Sequence, residues 1–575
     1  MATRIYSAIP LSQTIVALCA AKEISNIVIS PGSRNAPLII EFSNHPDMNC
    51  YSIVDERCAA FFALGMAQQL QKPTALVCTS GSALLNYYPA IAEAFYSDIP
   101  LIVLSADRPI ERIDIGDGQT IRQKNAFEKH ILYSANLYSE IVPQEPSTDI
   151  KILQKQKESQ KHNEREINLA INKAITHQGP VHINIPFYEP LYNTTTKALV
   201  TPKSLPLKKE TFILSEEVKN DMLARWNKAT RKIILIGVNH PDPLLNMWMD
   251  YFAKDSSVLV LTETTSNVHH QTHIQCIDRL ITPLTTQEFK ELQPEILITF
   301  GGMVVSKRIK AFLRKYQPET HWHIDPIKAF DTYFCLTEHI KEIPSVFFSY
   351  FFNTNVRSTS GSYKQHWLAI DRKRAYKQKE YEATIPFSDF KAYQLIFERI
   401  PHDMQIQLSN SSTIRYAQLF PTDPSHTVFC NRGTSGIDGS TSTAIGAALY
   451  ANREVTLITG DLSFFYDSNA LWNAYIPATF RIILINNSGG GIFRILPGKE
   501  ESESFKTFFE TVHHLTAEHL CKMFNFTYHQ AKNEEEVIKG LQSLYSSAKR
   551  PKLLEIITSR TVNDKVLLDY FKNLC

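Results

Sequence analysis

The feature that most constrains the fold is a repeated alternation between short β-branched runs and segments with a helical spacing of apolar residues. Two of the helix-like segments are CAAFFALGMAQQL (58–70) and ALLNYYPAIAEAF (83–95). The runs that predict strands are NIVIS (26–30), TALVCTS (74–80), PLIVLSA (100–106), VHINIP (181–186), KIILIG (232–237), SVLVLT (257–262), EILITFGG (295–302), HWHID (321–325), QIQLS (405–409), TVFCN (427–431), VTLITGD (455–461), RIILINN (481–487) and LLEIIT (553–558). Strands that alternate with helices build parallel sheets with helices packed on their faces. The sequence therefore predicts an α/β fold with largely parallel sheets.

The predicted strands fall into three series along the chain. Several domains are expected, because 575 residues exceed what one hydrophobic core organises. The stretch TPKSLPLKKE (201–210) has the composition of a linker, and a polar helical connector around 361–382 precedes the third series. We expect three consecutive α/β domains, over 1–195, 205–355 and 383–575.

Charge and composition exclude several classes of protein. The 60 basic and 58 acidic residues leave a formal net charge of +2, which gives no reason to expect a nucleic-acid or anionic-membrane partner. No apolar run approaches the roughly 18 residues of a membrane span, and the N-terminal MATRIYSAIPLSQ lacks a signal-peptide core. The nine cysteines include no CxxC pair, which favours reduced thiols. We therefore expect a cytoplasmic enzyme or binding protein without membrane insertion.

Acidic and amide side chains follow two predicted strands of the third series. VTLITGDLSFFYD (455–467) places Asp461 at the end of one strand, and LINNSGGGIF (484–493) places Asn487 at the end of the next. Open α/β sheets bind ligands at this carboxyl edge. Carboxylate, amide and carbonyl oxygens suit Mg²⁺ when phosphates complete its octahedron, and glycines let the backbone approach a diphosphate. The pattern predicts a metal–diphosphate site, with a polar-lined tight turn as the competing interpretation.

This order of strand, Gly-Asp, helix, strand, Asn-Asn and glycines resembles the motif of thiamine-diphosphate-dependent enzymes. The resemblance implies that fold, with Asp461, Asn487 and the carbonyl of Gly489 holding Mg²⁺ or Mn²⁺. The sequence departs from the motif at Leu462, where many such enzymes have a glycine. The resemblance also implies that Ile437 holds the cofactor bent. The full set of implied cofactor-binding residues is Glu56, Ser80, Gly81, Ile437, Gly460, Asp461, Leu462, Ser463, Asn487, Gly489, Gly490, Ile492 and Phe493.

A glutamate in the first series fits the other half of such a cofactor. YSIVDERCAAFFALGMAQ (51–68) places Glu56 just past a strand run, at the start of a helix rich in Ala and Phe. In these enzymes a glutamate on the pyrimidine ring assists removal of the C2 proton, and an apolar setting raises the pKa of a carboxyl. The Ser/Gly turn in TSGSALLNYYPAIAEAF (79–95) is similar to that of their pyrimidine-binding domains. The resemblance implies a homodimer or a dimer of dimers, with active sites at the subunit interface.

Four further motifs narrow the resemblance: SPGSRNAPL (30–38), ADRPIERID (106–114), GQTIRQ (118–123) and NRGTSGIDGSTSTAIGA (431–447). Together they resemble the 2-succinyl-5-enolpyruvyl-6-hydroxy-3-cyclohexene-1-carboxylate synthase family of menaquinone biosynthesis. The resemblance covers essentially the whole chain and is weakest in the central domain. It implies decarboxylation of 2-oxoglutarate and 1,4-addition of the succinyl carbanion equivalent to isochorismate. Both substrates are dicarboxylates, which an arginine fork binds well.

Residues on these motifs become candidates for catalysis and substrate binding. Arg34 and Arg432 lie in Gly/Ser-rich loops at predicted strand ends, where functional residues concentrate. An apolar wall would favour decarboxylation through a low dielectric, although core packing explains such residues equally well. The catalytic candidates are Glu56, Arg34, Gln119, Ser411, Arg415 and Arg432. The substrate-binding candidates are Ser33, Arg34, Arg108, Gln119, Lys307, Ser411, Arg415 and Arg432, with Ile492, Phe493 and Leu496 as the wall.

Two other functions stay open from the sequence. One is another thiamine-diphosphate 2-oxoacid decarboxylase or carboligase, which the clustered arginines disfavour. The other is a non-catalytic metabolite-binding relative, which the presence of Glu56, Asp461 and Asn487 disfavours. The histidine-rich spots have no zinc-site arrangement, and the central series has no GxGxxG fingerprint, so neither predicts a further cofactor. These spots are VHHQTH (268–273), HWH (321–323) and VHHLTAEH (512–519).

Overall fold

The computed structural model describes residues 4–139, 150–208, 212, 214–353, 361–495 and 501–574. The chain packs into two compact units. Unit 1 comprises Met1–Lys209, Gly433–Asn452 and Asp467–Pro477, and unit 2 comprises Glu210–Arg432, Arg453–Tyr466 and Ala478–Cys575. Three main sheets follow one another along the chain, and the domain boundaries given above stay a prediction.

The first main sheet has six parallel strands in the order β3-β2-β4-β5-β7-β6, and β1 and β8 form a short antiparallel pair. Its strands are β1 (Tyr6–Ser7), β2 (Asn26–Ile29), β3 (Asn49–Ser52), β4 (Thr74–Cys78), β5 (Leu101–Asp107), β6 (Tyr133–Asn136), β7 (Val181–Pro186) and β8 (Thr194–Thr195). Its helices are α1 (Pro10–Ala21), α2 (Ala36–Ser43), α3 (Glu56–Leu70), α4 (Ser82–Asn86), α5 (Tyr88–Ser97) and α6 (Ile150–His177). The inner strands are buried throughout, as expected where helices cover both faces of a parallel sheet.

The second main sheet has five parallel strands in the order β10-β9-β11-β12-β13. They are β9 (Lys232–Ile236), β10 (Val258–Thr262), β11 (Ile296–Phe300), β12 (Thr320–Ile324) and β13 (Glu338–Ile340). The helices are α7 (Glu216–Lys228), α8 (Pro243–Phe252), α9 (Ile277–Ile281), α10 (Thr286–Leu292), α11 (Lys307–Lys315), α12 (Pro344–Phe351) and the connector α13 (Tyr363–Glu382). The hydroxyl of Ser306 caps α11 by accepting from the backbone N–H of Ile309 at 3.1 Å, which fixes where that helix begins.

The third main sheet has six parallel strands in the order β15-β14-β16-β17-β19-β18. They are β14 (Gln405–Leu408), β15 (Thr427–Cys430), β16 (Val455–Gly460), β17 (Arg481–Asn486), β18 (Thr527–Ala531) and β19 (Lys552–Ile557). The helices are α14 (Asp389–Phe397), α15 (Ser412–Ala417), α16 (Ser440–Ala448), α17 (Asp461–Tyr466), α18 (Glu518–Met523), α19 (Glu534–Leu544) and α20 (Asn563–Asn573). Residues 491–495 form a short 3₁₀ turn after β17.

Helices α3 and α16 pack closely within unit 1 because glycines remove side chains from the contact. A Cβ at Gly65 would lie 2.0 Å from the carbonyl oxygen of Thr443, and one at Gly446 would lie 2.0 Å from that of Phe62. Each glycine therefore lets the opposite backbone approach to a distance that no other residue permits. This contact fixes α16 against the helix that begins at Glu56.

The structure confirms the α/β fold with parallel main sheets and corrects one helix. ALLNYYPAIAEAF (83–95) was expected as one helix, but α4 and α5 meet at Tyr87, directly before the first turn that contains Pro89. Proline is favoured in a first helical turn and unfavourable in a helix interior, which explains the division. Among the described residues, no helix is long and apolar enough to span a bilayer, and every cysteine is free.

Candidate active site

Two neighbouring strands of the third main sheet carry the predicted metal ligands at their carboxyl ends. Strand β16 ends at Gly460, and Asp461 opens α17, while Asn487 directly follows β17. The two strands are paired in parallel, so these side chains share one edge of the sheet. The backbone N–H of Gly489 donates to Asp461 Oδ2 at 3.0 Å and joins the two strand ends directly. We call residues 487–491 the metal loop.

In the part of the chain that the structure describes, the side-chain amide of Asn487 is hydrogen-bonded through its nitrogen but not through its oxygen. Its Nδ2 donates to Asp389 Oδ2 at 2.8 Å, whereas its Oδ1 is buried and has no hydrogen-bond partner among the described residues. Asp389 is itself buried and accepts from Thr558 Oγ1 at 2.5 Å. Burial raises the pKa of Asp389 to about 6 against the effect of these hydrogen bonds. A buried carbonyl oxygen without a donor fits a cation ligand, because an unmet buried acceptor is unfavourable.

The backbone of the metal loop requires a glycine at position 489. Gly489 has φ +149°, and a Cβ there would lie 2.5 Å from the carbonyl oxygen of Glu510. The carbonyl of Gly489 accepts from the N–H of Gly491 at 3.0 Å, which leaves it a second lone pair for a cation. No group of three His, Cys, Asp or Glu side chains suited to a metal occurs in the described residues. A metal here would therefore rest on one carboxylate with amide and main-chain oxygens, as Mg²⁺ allows.

His513 is a neighbour of this site that the sequence analysis gave no role. Its Nε2 lies 3.3 Å from Asp461 Oδ2, and its backbone N–H donates to the carbonyl of Ser488 at 3.2 Å. The spacing in VHHLTAEH gave no sign of this contact, which depends on a turn of the chain after the metal loop. Leu462 is half-buried and Ser463 is buried beside Asp461 on α17.

Glu56 lies in unit 1 at the first residue of α3. Asp55 caps the helix by accepting from the N–H of Cys58 at 3.1 Å, so the start of α3, and with it Glu56, is fixed locally. Glu56 is half-buried, and Asn86 Nδ2 donates to its Oε2 at 3.4 Å. Ile437 belongs to the same unit, in the loop before α16, and is half-buried.

Unit 1 also brings together two of the predicted arginines. Arg108 Nη1 donates to Ser80 Oγ at 2.6 Å and to the carbonyl of Gln119 at 2.9 Å. Burial and the neighbouring Arg34 guanidinium lower the pKa of Arg108. Arg34 donates to Glu189 Oε1 at 2.9 Å, but its buried Nε has no partner among the described residues. Two close cations with an unused donor are the arrangement that binds a carboxylate.

Gln123 is a buried residue that the sequence analysis quoted within GQTIRQ without assigning a role. Its Oε1 accepts from the N–H of Gly81 at 2.8 Å, and its Nε2 donates to the carbonyl of Ala106 at 3.1 Å. It therefore holds the turn at Gly81, which has φ +89°, against strand β5. The predicted Gln119 is exposed with φ +61°, and Ser33 is exposed in the loop before α2.

Unit 2 holds a second group of cations. Arg432 Nη1 donates to Asn410 Oδ1 at 2.7 Å, and Arg415 Nη1 donates to the carbonyl of Ser411 at 2.8 Å. Burial and the charge of Arg432 lower the pKa of Arg415. Ser411 has φ +64°, a strained backbone conformation for a non-glycine residue. Lys310 joins the group, since burial lowers its pKa and both Arg432 and Lys307 lower it further, against Glu263.

Glu263 is a buried carboxylate beside these cations that sequence reasoning missed. It accepts from the N–H groups of Val305 and Ser306 at 2.6 and 2.7 Å, directly before α11. Burial raises the pKa of Glu263 to about 7, while the charge of Arg432 opposes that shift. Only the fold could reveal this contact, because Glu263 lies 42 residues before Val305 in the chain.

A cavity of about 210 Å³ within unit 2 joins the cations to the metal loop. Its lining includes the predicted residues Lys307, Arg415 and Ile492 together with Gly491 of the metal loop. Ile492 and Phe493 lie half-buried on the 3₁₀ turn that follows β17. Leu496, the third residue predicted for the apolar wall, lies outside the described residues.

Three family models match successive parts of the chain. They are described as the thiamine pyrophosphate enzyme N-terminal TPP binding domain (9–134), the middle domain of thiamine pyrophosphate (203–341) and the thiamine pyrophosphate enzyme C-terminal TPP binding domain (410–556). Thiamine pyrophosphate is another name for thiamine diphosphate. The chain therefore has the three-part α/β construction of thiamine-diphosphate enzymes.

Curated relatives match over nearly the full length. Proteins named 2-succinyl-5-enolpyruvyl-6-hydroxy-3-cyclohexene-1-carboxylate synthase are similar to this chain in several bacteria. The protein from Christiangramia forsetii is 58% identical over 98% of this chain and 99% of its own, and that from Flavobacterium psychrophilum is 55% identical over 99% and 100%. The Porphyromonas gingivalis protein is 38% identical over 96% of this chain and 94% of its own.

Proposed function

The chain belongs to the 2-succinyl-5-enolpyruvyl-6-hydroxy-3-cyclohexene-1-carboxylate synthase family, and from that premise we propose how it acts. It is a thiamine-diphosphate-dependent transferase of menaquinone biosynthesis. It decarboxylates 2-oxoglutarate and adds the succinyl carbanion equivalent to isochorismate. The products are 2-succinyl-5-enolpyruvyl-6-hydroxy-3-cyclohexene-1-carboxylate and CO₂.

The observation that carries the substrate assignment is the pairing of arginines in each unit. Burial and the charge of Arg34 lower the pKa of Arg108, and burial and the charge of Arg432 lower the pKa of Arg415. Like charges repel at close range, so such pairs are favourable when an anion lies between them. Two dicarboxylate substrates supply four carboxylates, whereas the small monoacids of related carboligases supply fewer. Arginine pairs in both units therefore favour the dicarboxylate reaction.

The cofactor and its metal fit the residues of the metal loop. Asp461, the unpartnered Oδ1 of Asn487 and the carbonyl of Gly489 would hold Mg²⁺ or Mn²⁺. Ser463, Gly460, Leu462 and Gly490 would lie against the diphosphate, and Ser80, Gly81 and Ile437 against the rings. Held by these residues, thiamine diphosphate would supply the nucleophile for the 2-oxo group and the electron sink for decarboxylation.

The other residues bind, orient and exclude water. Glu56 holds the proton that the pyrimidine ring exchanges during activation. Ile492, Phe493 and Leu496 would form an apolar wall that lowers the local dielectric and favours loss of CO₂. The substrate carboxylates would be oriented by hydrogen bonds and charges that come from Ser33, Gln119, Ser411, Lys307 and the four arginines.

The assembly that fits this division of residues is a homodimer or a dimer of dimers. Glu56 lies in unit 1 and the metal loop in unit 2, and the family forms its active sites at the subunit interface. We place the enzyme in the cytoplasm, because the cysteines in the part of the chain that the structure describes are free and suit a reducing environment.

The test is consumption of isochorismate by purified protein with thiamine diphosphate and Mg²⁺, with 2-oxoglutarate present or omitted. Loss of isochorismate only with both substrates, cofactor and metal is the expected result. Consumption of other 2-oxoacids with no use of isochorismate would overturn the substrate assignment and favour the related carboligases. Omission of the metal after chelation tests the cation separately.

A further inference from the structure

Residues 510–513, which we call the backing segment, run alongside the metal loop. The N–H of Gly490 donates to the carbonyl of Glu510 at 2.6 Å, and the N–H of His513 donates to the carbonyl of Ser488 at 3.2 Å. Main-chain hydrogen bonds therefore join the two segments in both directions. The position of the metal loop depends on where the backing segment lies.

The side chain of Glu510 holds the backing segment in place. Its carboxylate is fully buried, and the Arg494 guanidinium that pairs with it is 2% exposed. Arg494 donates to both oxygens of Glu510, with Nη2 3.0 Å from Oε2, and Arg560 Nη1 donates to Oε2 at 2.6 Å. A buried ion pair of this kind persists only while each charge keeps its partner. Glu510 is therefore fixed from two sides.

Glu510 contacts the chain around the metal loop at two points. Its carbonyl accepts from Gly490, and its carboxylate binds Arg494, four residues further on. Gly489 donates its N–H to Asp461, and a Cβ on Gly489 would lie 2.5 Å from the carbonyl oxygen of Glu510. The packing leaves no free space there, so a shift of Glu510 displaces Gly489 and Gly490 together.

We propose that Glu510 is a positioning residue for the divalent cation. Its ion pair with Arg494 fixes the backing segment against the metal loop and so keeps the Gly489 carbonyl and Asn487 Oδ1 at ligand positions. Glu510 does not touch the metal and acts only through the loop. This inference rests on the proposed function, because it takes the metal loop as the cation site. Residues that orient metal ligands typically change metal affinity 10- to 100-fold when they are replaced.

The test compares Glu510→Gln with a matched change elsewhere, Glu41→Gln. Glu41 is also buried, accepts from Arg4 Nη2 at 2.8 Å and from the N–H of Ser7 at 2.8 Å, and belongs to unit 1. Mn²⁺ is titrated into each protein with thiamine diphosphate present, and free Mn²⁺ is measured by electron paramagnetic resonance. Thermal unfolding of each variant measures the loss of stability separately.

The expected result is a rise of about 10- to 100-fold in the Mn²⁺ dissociation constant for Glu510→Gln. Glu41→Gln should lower the melting temperature and leave the dissociation constant within about twofold of the parent, because the hydrogen bonds of Glu41 go to Arg4 and Ser7 of unit 1. Equal rises in both variants would overturn the proposal, since general destabilisation would explain them. An unchanged constant in Glu510→Gln would overturn it as well.

Arg560→Gln covers the case in which Glu510→Gln does not fold. Arg560 is the more exposed partner, at 28%, so its loss leaves Arg494 on Glu510. A rise in the Mn²⁺ dissociation constant of Arg560→Gln, smaller than the roughly 10- to 100-fold expected for Glu510→Gln, supports the proposal, and an unchanged dissociation constant overturns it. If the parent protein binds no Mn²⁺ with thiamine diphosphate present, the cation site of the proposed function fails and the positioning role fails with it.

Discussion

Asn487 donates its side-chain amide to Asp389 at 2.8 Å, and this single bond decides which end of the amide remains for a ligand. With Nδ2 engaged, Oδ1 is the buried atom that has no partner among the described residues. Asp389 is held in turn by Thr558 Oγ1 at 2.5 Å. The orientation of this proposed metal ligand is therefore set by a carboxylate 98 residues away in the chain.

Replacing Asp389 should weaken metal binding without removing any ligand. Asp389→Leu deletes the acceptor that orients Asn487, so its amide can rotate and the Mn²⁺ dissociation constant should rise about 10- to 100-fold. Asp389→Asn keeps an acceptor oxygen and should give a smaller rise. Titration of Mn²⁺ followed by electron paramagnetic resonance measures both. Parent-like affinity in Asp389→Leu would mean that Asn487 is oriented by something else.

Replacing Glu56 should separate cofactor binding from turnover. Glu56→Gln keeps the size of the side chain and removes its ability to carry the proton, so turnover should fall about 10²- to 10⁴-fold. The thiamine diphosphate dissociation constant should change by less than about threefold, because the metal loop is untouched. Exchange of the cofactor C2 proton into D₂O, followed by NMR, measures the step itself.

Glu23→Gln is the control for the Glu56 variant. Glu23 is an exposed glutamate of unit 1 that pairs with Lys72 at 3.2 Å. Its replacement should leave both C2 exchange and turnover at parent values. Full turnover in Glu56→Gln would show that another group manages the proton.

Replacing Arg432 should affect a substrate step. Arg432→Ala removes a guanidinium group that donates to Asn410 Oδ1 at 2.7 Å. The charge of this group also contributes, after burial, to the lowered pKa of Arg415. A hydrogen bond to a charged group contributes about 1.5–3 kcal/mol, so kcat/KM should fall about 10- to 100-fold. Steady-state kinetics with each substrate varied in turn measure this, and fluorescence titration measures cofactor affinity.

The matched control for Arg432 is Arg453→Ala. Arg453 is an exposed arginine of unit 2 whose Nη1 donates to the carbonyl of Ser425 at 2.5 Å. It should leave kcat/KM unchanged. A large loss of thiamine diphosphate affinity in Arg432→Ala would assign that arginine to the cofactor instead of a substrate.

The central strands were predictable from the sequence, and several edge strands were not. Strands β2, β4 and β9 are buried throughout, so their apolar runs identify them. The edge strands β6 and β18 have the sequences YSAN and TYHQA, and most of their residues are only partly buried. A strand with one free edge need not be apolar, which is why the periodicity gave no signal there.

The candidate site divides in the same way. Asp461 and Asn487 could be proposed as ligands from the sequence, because each follows a predicted strand within a recognisable local motif. Glu263 and Glu510 were missed because neither lies in a recognised motif, and Gln123 was quoted within GQTIRQ but its contact with Gly81, 42 residues away, is visible only in the fold. Local patterns thus point to the residues proposed to contact a ligand, whereas the residues proposed to position them become visible only in the folded chain.

Glu263 offers a test of the site through the pH dependence of stability. Burial raises its pKa from the ordinary 4.5 to about 7, so the folded chain binds this proton more tightly than the unfolded chain does. Stability therefore falls as the pH rises from about 4.5 to about 7, and it stays level above that range. A shift of this size corresponds to on the order of 3 kcal/mol. The sign is opposite to that of a carboxylate whose pKa is lowered by a salt bridge.

Glu263→Gln should remove this part of the pH dependence. Between about pH 5 and about pH 8 the melting temperature of the parent should fall more than that of the variant, because the variant has no proton to release at this position. Loss of the contacts to Val305 and Ser306 changes the melting temperature of the variant by the same amount at every pH. It therefore leaves the slope of melting temperature against pH unaffected. Asp389 and Asp467, whose pKa values burial also raises, act in both proteins and cancel in the comparison. Identical slopes in calorimetric scans would mean that Glu263 is ionised in the folded chain across this range, and that its charge offsets the cations beside it.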